Sequence, residues 1–158
     1  MKKSALISLV STLVMVLDYV TKRIIIDKLE LYDSIRVFPF LNIVYVENKG
    51  AAFGMFASLG NNFFMAISFI ALASILFYMS KIPKGPELFS ISLIFGGAVG
   101  NLIDRIMFGK VIDFIDVYVD SWHWPAFNVA DSALTVGITL FIIATLKQSQ
   151  KPSAGTEA

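Results

Sequence analysis

Four long apolar runs constrain this chain more than any other feature: about Ala5 to Ile26, Asn61 to Ser80, Leu88 to Met107 and Ala130 to Leu146. A helix needs about 20 apolar residues to cross roughly 30 Å of hydrocarbon, and each run approaches that length. Backbone in hydrocarbon must satisfy its own hydrogen bonds, so runs of this kind are expected as helices. The fourth is the shortest, and its ends are expected at the interface. Composition agrees. Charged residues are 16% and apolar residues 56% of the 158, with a mean hydropathy of +0.73. A soluble domain carries about 25% charged residues, so this chain has too few to cover a water-facing surface. Lys2-Lys3 before the first run could open a secretory leader, but no small-x-small cleavage site follows and three more spans lie downstream. The run therefore reads as a retained helix. Residues 1–147 read as one four-span domain, and 148–158 as a polar tail expected to be disordered.

Other classes drop out quickly. The net charge is +1 with no basic block, which gives a nucleic-acid partner no support. There is no cysteine, so disulfides, thiol catalysis, thiolate metal sites and a lipid anchor on a cysteine of this chain are excluded. The single histidine, His123, with Asp116 and Asp120 nearby, has no recognised metal-ligand spacing. A solvated loop face is the expectation there, with no metal and no cofactor.

With four spans, both termini share a side with the short turn Lys81-Ile-Pro-Lys84-Gly-Pro86. The two long loops then share the other side. Lysine and arginine are nearly balanced between the sides; the dibasic start and the basic turn tilt the termini inward. The first long loop carries Ile35-Arg-Val37, a Phe38-Pro39 turn and Leu41-Asn-Ile-Val-Tyr-Val46, the β-branched and aromatic pattern of a hairpin. Val111 to Val119 in the second loop can add a strand, and Trp122 and Trp124 fit an interfacial belt.

Polar groups at membrane depth are costly, so they are usually paired and often functional. Asp18 and Lys22, one turn apart with Thr21 between, are expected as a self-neutralising structural pair near the interface. Gly96 and Gly100 have the small-xxx-small spacing of close helix contact. Asn101, Asp104 and Arg105 follow at i, i+3 and i+4, a spacing that lets all three share a face. Asn128 suits an N-cap, with Asp131 as a first-turn acid complementing the helix dipole. Asp113, in Val-Ile-Asp113-Phe, is the second acid at this edge. Two carboxylates brought together can share one proton and activate a water, which is aspartic-protease chemistry.

Five segments stand in order: Asp18-Tyr-Val-Thr21-Lys22, Asn48-Lys-Gly50-Ala-Ala-Phe53-Gly54, Gly96-Gly97-Ala-Val-Gly100-Asn101-Leu-Ile-Asp104-Arg105, Val111-Ile-Asp113-Phe114 and Phe127-Asn128-Val-Ala-Asp131-Ser132. Together, in a four-span chain of this size, they resemble the bacterial lipoprotein signal peptidases, or signal peptidase II. The resemblance implies an α-helical membrane protein with four transmembrane helices, a small β-sheet cradle and a short helix in the extracytoplasmic loops. It implies an aspartic endopeptidase that removes signal peptides from diacylglyceryl-modified prolipoproteins, cutting before the lipidated cysteine. Asp113 and Asp131 match the catalytic pair; Asn48, Gly50, Asn101, Asp104, Arg105 and Asn128 match groove residues. The implied setting is the bacterial cytoplasmic (inner) membrane, with the site toward the extracytoplasmic face. Lipid and prolipoprotein are the implied partners, and a monomer is expected. The alternatives are a small proton-coupled transporter and a non-catalytic membrane assembly factor.

Overall fold

The four apolar runs are helices α1 (Lys3–Lys28), α2 (Gly60–Lys81), α3 (Pro86–Phe108) and α4 (Val129–Ser149) in a computed structural model that describes residues 2–50 and 55–149. All four are long and apolar enough to cross a membrane. Each runs slightly past its apolar stretch, because lysines such as Lys28 and Lys81 sit in the last turns, where a long stem can carry its charge toward water. The last helix continues through Gln148 and Ser149, two residues into the segment expected as tail. The rest of that tail, 150–158, lies outside the described residues, as do Ala51 to Gly54 of the glycine-containing loop motif.

α3 is the central helix. Its most apolar window is 44% buried against 17% for the other three, because α1, α2 and α4 all pack on it. Glycines permit that approach. A Cβ on Gly96 would stand 3.0 Å from the Ser11 carbonyl, one on Gly97 2.5 Å from the Ala130 carbonyl, and one on Gly100 2.8 Å from an Asp18 carboxylate oxygen. The expected small-residue contact is therefore real and serves both flanking helices. Ser11 adds an interhelical bond to the Ser92 carbonyl at 2.9 Å. Leu13, Val16, Val20 and Ile24 remain exposed on α1, which in a spanning helix is the face offered to lipid. Pro86 opens α3 at a position where no amide hydrogen is needed. Gly109, at φ +72°, closes it by donating to the Arg105 carbonyl at 3.1 Å.

The long loops form one antiparallel sheet, β1 (Ser34–Phe38), β2 (Leu41–Asn48), β3 (Val111–Val119) and β4 (Trp122–His123), in that spatial order. The expected hairpin and extra strand are both present. A 3-10 turn, Ala57–Leu59, leads into α2 and is the short loop helix among the described residues. Register does the positioning. Asn48 pairs with Val111 and Val46 with Asp113, so the end of β2 lies beside the start of β3. Phe127 bridges to Ile115 on the far side of β3, its carbonyl accepting from Phe114 and Ile115 at 2.9 and 2.8 Å, which brings Asn128 alongside Asp113. Strand alternation divides β3: Ile112 and Phe114 pack against Ile25 of α1, leaving Asp113 on the opposite face.

Candidate active site

Asp113 reaches the site from a strand and Asp131 from the first turn of α4. Both line one cavity of about 820 Å³, with Asn48, Gly50, Asn101 and Arg105 on its wall. Phe64, Ser68 and Ala71 of α2 and Leu134 and Thr135 of α4 extend it between the helices, and Trp124 borders it from the second loop. Outside the five motifs the sequence gives no sign of these lining groups. Thr135 is the exception, since it sits one helical turn beyond Asp131.

Three asparagines hold the two carboxylates, and each is oriented by a bond to its own oxygen. Asn48 accepts the Gly50 amide at 3.0 Å, so its NH2 faces Asp113 Oδ2, also at 3.0 Å. Asn128 accepts the Asp131 amide at 2.8 Å, as an N-cap does, and donates to Asp113 Oδ1 at 2.7 Å. Asn101 accepts from Lys22 Nζ and Asn128 Nδ2, both at 3.2 Å, and donates to Asp131 Oδ1 at 2.7 Å. Asn128 thus caps a helix and links both acids at once. It was expected in the groove; it is fully buried and is not among the residues that line the cavity.

Two further expectations need correction. Asp18 and Lys22 do pair, at 2.7 Å, but they are 1% and 2% exposed and far from self-contained. Lys22 also bonds Asp104 at 2.8 Å, while Asp18 accepts the Ala130 amide at 2.8 Å. Three helices meet in that cluster. Thr21 takes no part, bonding only to carbonyls of its own helix. Asp104 also accepts the Ile112 amide at 3.0 Å and does not line the cavity. Spacing at i+3 turns it toward α1, whereas Asn101 and Arg105, at i and i+4, face the site. Arg105 donates to the Gly50 carbonyl and stacks over Phe64 at 4.7 Å. Its Nη1 has no partner among the described residues. Asn61 caps the end of α3 through the Arg105 carbonyl at 3.0 Å, a role with no sequence signal.

Of the three residues expected on a solvated loop face, Asp120 and His123 are exposed, but Asp116 is not. Asp116 is 7% exposed, takes a bond from Asn42 at 2.8 Å and meets His123 Nδ1 at 2.9 Å. That triad crosses β2, β3 and β4 and serves the sheet. Among the described residues no group of three His, Cys, Asp or Glu side chains is placed to hold a metal.

Burial, and then the nearby Asp131 charge, push the Asp113 carboxyl up from 3.8 to about 7. The bonds from Asn48 and Asn128 and the charge of Lys22 oppose that rise. A carboxyl so placed holds a proton near neutral pH and can release it at little cost.

Residues 10–147 match the family model described as Signal peptidase (SPase) II. The chain is 46% identical to a lipoprotein signal peptidase of Thermodesulfovibrio yellowstonii, covering 86% of this chain and 91% of that one. Against that of Geobacter metallireducens it is 45% identical, covering 92% and 93%. A solved bacterial membrane enzyme shares its fold with a TM-score of 0.87 at 38% identity, over 96% of this chain and 94% of the other. A second solved bacterial membrane enzyme gives 0.80 at 41%, over 89% and 92%. With this match running through all four helices and the sheet between them, the chain belongs to the signal peptidase II family.

Proposed function

We propose that this membrane peptidase, which removes signal peptides from prolipoproteins, works as an aspartic enzyme with Asp113 and Asp131 as its catalytic pair. One observation carries the reading: a buried carboxylate, Asp113, and a half-buried one, Asp131, line a single cavity and are tied together by one asparagine, Asn128. In the resting pair one carboxyl keeps its proton and the other is ionised. The ionised group takes a proton from a water, whose oxygen attacks the scissile carbonyl. The protonated partner gives its proton to the carbonyl oxygen, forming a neutral gem-diol. That intermediate collapses as the amide C–N bond breaks: one hydroxyl gives its proton to the ionised aspartate while the leaving nitrogen takes a proton from the other, which restores the singly protonated pair. Asn48, Gly50, Asn101 and Arg105 line the cavity beside the pair and are assigned to substrate contact. Neutral amide donors hold an extended peptide without adding charge. The apolar extension between α2 and α4 admits the hydrophobic part of the precursor from the side.

The natural substrate is assigned as a prolipoprotein already diacylglyceryl-modified on the cysteine after the cut. The enzyme is assigned to the cytoplasmic membrane as a monomer, with the sheet and the site on the extracytoplasmic face. Family membership leaves the transporter and assembly-factor readings without support.

The test follows cleavage of a diacylglyceryl-modified precursor by purified protein in detergent, with Asp113→Asn, Asp131→Asn and a chelator as separate arms. Chelator-resistant cleavage before the lipidated cysteine, lost in both folded variants, is the expected result. Wild-type turnover in either variant overturns the aspartic assignment.

A further inference from the structure

Lys22 is the most deeply buried cation of the chain's described residues, at 2% exposure, and the mechanism above does not use it. Its ammonium contacts three groups on two helices: Asp18 at 2.7 Å, Asp104 at 2.8 Å and the Asn101 side-chain oxygen at 3.2 Å. The third contact goes beyond charge balance. An asparagine carboxamide can present either end, and the end that binds a cation must be its oxygen. With the oxygen drawn to Lys22, the Asn101 NH2 is left facing Asp131 Oδ1, which it reaches at 2.7 Å. One turn earlier on α1, Asp18 takes the amide of Ala130, the residue directly before Asp131. The Asp18–Lys22 pair therefore holds the backbone at Ala130, next to Asp131, on one side and, through Asn101, the Asp131 carboxylate on the other.

We propose that Lys22 is a positioning residue for catalysis, acting through Asn101 to fix the orientation of the Asp131 carboxylate and holding the buried positive charge that faces the acid pair. This rests on the aspartic reading above and adds a role for α1, which contributes no residue to the cavity wall. The charged groups around the pair are few. Arg105 comes from α3 on the cavity side; Asp18 and Asp104 lie behind, in contact with Lys22 itself. Removing the ammonium leaves those two acids facing each other and frees the Asn101 amide to present its oxygen to a carboxylate. Both effects make ionisation of the pair harder, so the acid limb of the rate profile moves to higher pH.

The experiment compares wild type, Lys22→Met and the double variant Lys22→Met/Asp104→Asn, which keeps the cluster at its original formal charge. Asp113→Asn and Asp131→Asn run alongside. Folding is followed by thermal unfolding in detergent, and cleavage of a diacylglyceryl-modified prolipoprotein is measured from pH 5 to 9. If the single variant does not fold, the double variant is read in its place. The expected result in folded protein is kcat down at least about tenfold, KM within about twofold, and an acid limb shifted up by about half a pH unit or more. A folded variant with unchanged kcat and an unmoved profile overturns the proposal. So does a loss of rate that follows the folded fraction alone, which marks a purely structural lysine. Failure of the underlying reading is distinct: it shows as turnover in the two aspartate variants.

Discussion

The contact between Gly97 and α4 gives the sharpest forecast from this fold. Alanine there would place its Cβ 2.5 Å from the Ala130 carbonyl oxygen and 2.9 Å from Leu134 Cγ. Ordinary contact begins near 3.4 Å, so the helices must part by about 0.9 Å, and a backbone carbonyl cannot rotate away as a side chain can. Overpacking of this kind costs about 1–3 kcal/mol, against roughly 1 kcal/mol regained from helix propensity, which leaves a net loss of about 0–2 kcal/mol. The larger consequence is positional. Ala130 precedes Asp131, which is proposed above as one of the catalytic pair, and a displacement of about 1 Å at such a group can cost on the order of a hundredfold in rate. Gly137→Ala is the matched control. Its Cβ would meet Ile94 Cγ1 at 2.7 Å and the Ser90 carbonyl at 2.9 Å, a similar clash about two turns further from the pair. Gly97→Ala should lose kcat about ten- to a hundredfold with a small drop in thermal stability, while Gly137→Ala loses comparable stability and keeps kcat within about threefold. Unfolding curves in detergent and precursor cleavage decide it. Equal loss of rate in both, or full rate in Gly97→Ala, would show that helix spacing does not set the geometry of the pair.

The raised Asp113 carboxyl has a stability signature. Its folded value lies near 7 against 3.8 ordinarily, so above pH 4 the unfolded chain releases a proton that the folded chain keeps. Stability contributed by this group is complete below about pH 4 and is lost as pH rises to about 7, by up to about 4 kcal/mol. Asp113→Asn should therefore gain on wild type in melting temperature between pH 4 and 7 and hold a constant difference above; a difference that does not change with pH contradicts the burial argument. Asn48→Ala removes the bond to Asp113 Oδ2 and the acceptor for the Gly50 amide. That bond lowers the Asp113 value, so its loss should move the alkaline limb of the rate profile upward and cut kcat about tenfold; an unmoved limb would count against the contact. Asn61→Ala leaves the Arg105 carbonyl at the end of α3 with the Gly109 amide as its remaining partner and should cost about 1 kcal/mol in unfolding experiments, with no cost meaning that the Gly109 bond alone satisfies it.

The four spans were legible in the sequence because hydrocarbon enforces a length and an apolar content that a run of residues either has or lacks. The strands were legible for a similar local reason, since Ile35 to Val46 and Val111 to Val119 alternate and branch as strands do. The two aspartates and the asparagines stood out because polar groups at such positions are costly. Their roles were less visible. Spacing on a helix says which residues share a face but not which neighbour that face meets. Asn101 and Arg105 turn to the cavity while Asp104, between them, turns to α1. Asp116 reads as a loop acid until three strands close around it.

What the sequence by itself determined is thus the membrane, the number of crossings and the identity of the polar groups, all set by local physical chemistry along the chain. Only the tertiary structure decided how those groups are shared. Asn128 serves both acids because the Phe127 bridge lays the start of α4 beside β3. Lys22 touches Asn101 because glycines at 96, 97 and 100 let three helices close to near contact. These are distances between segments up to 79 residues apart, set by packing, and no local pattern encodes them.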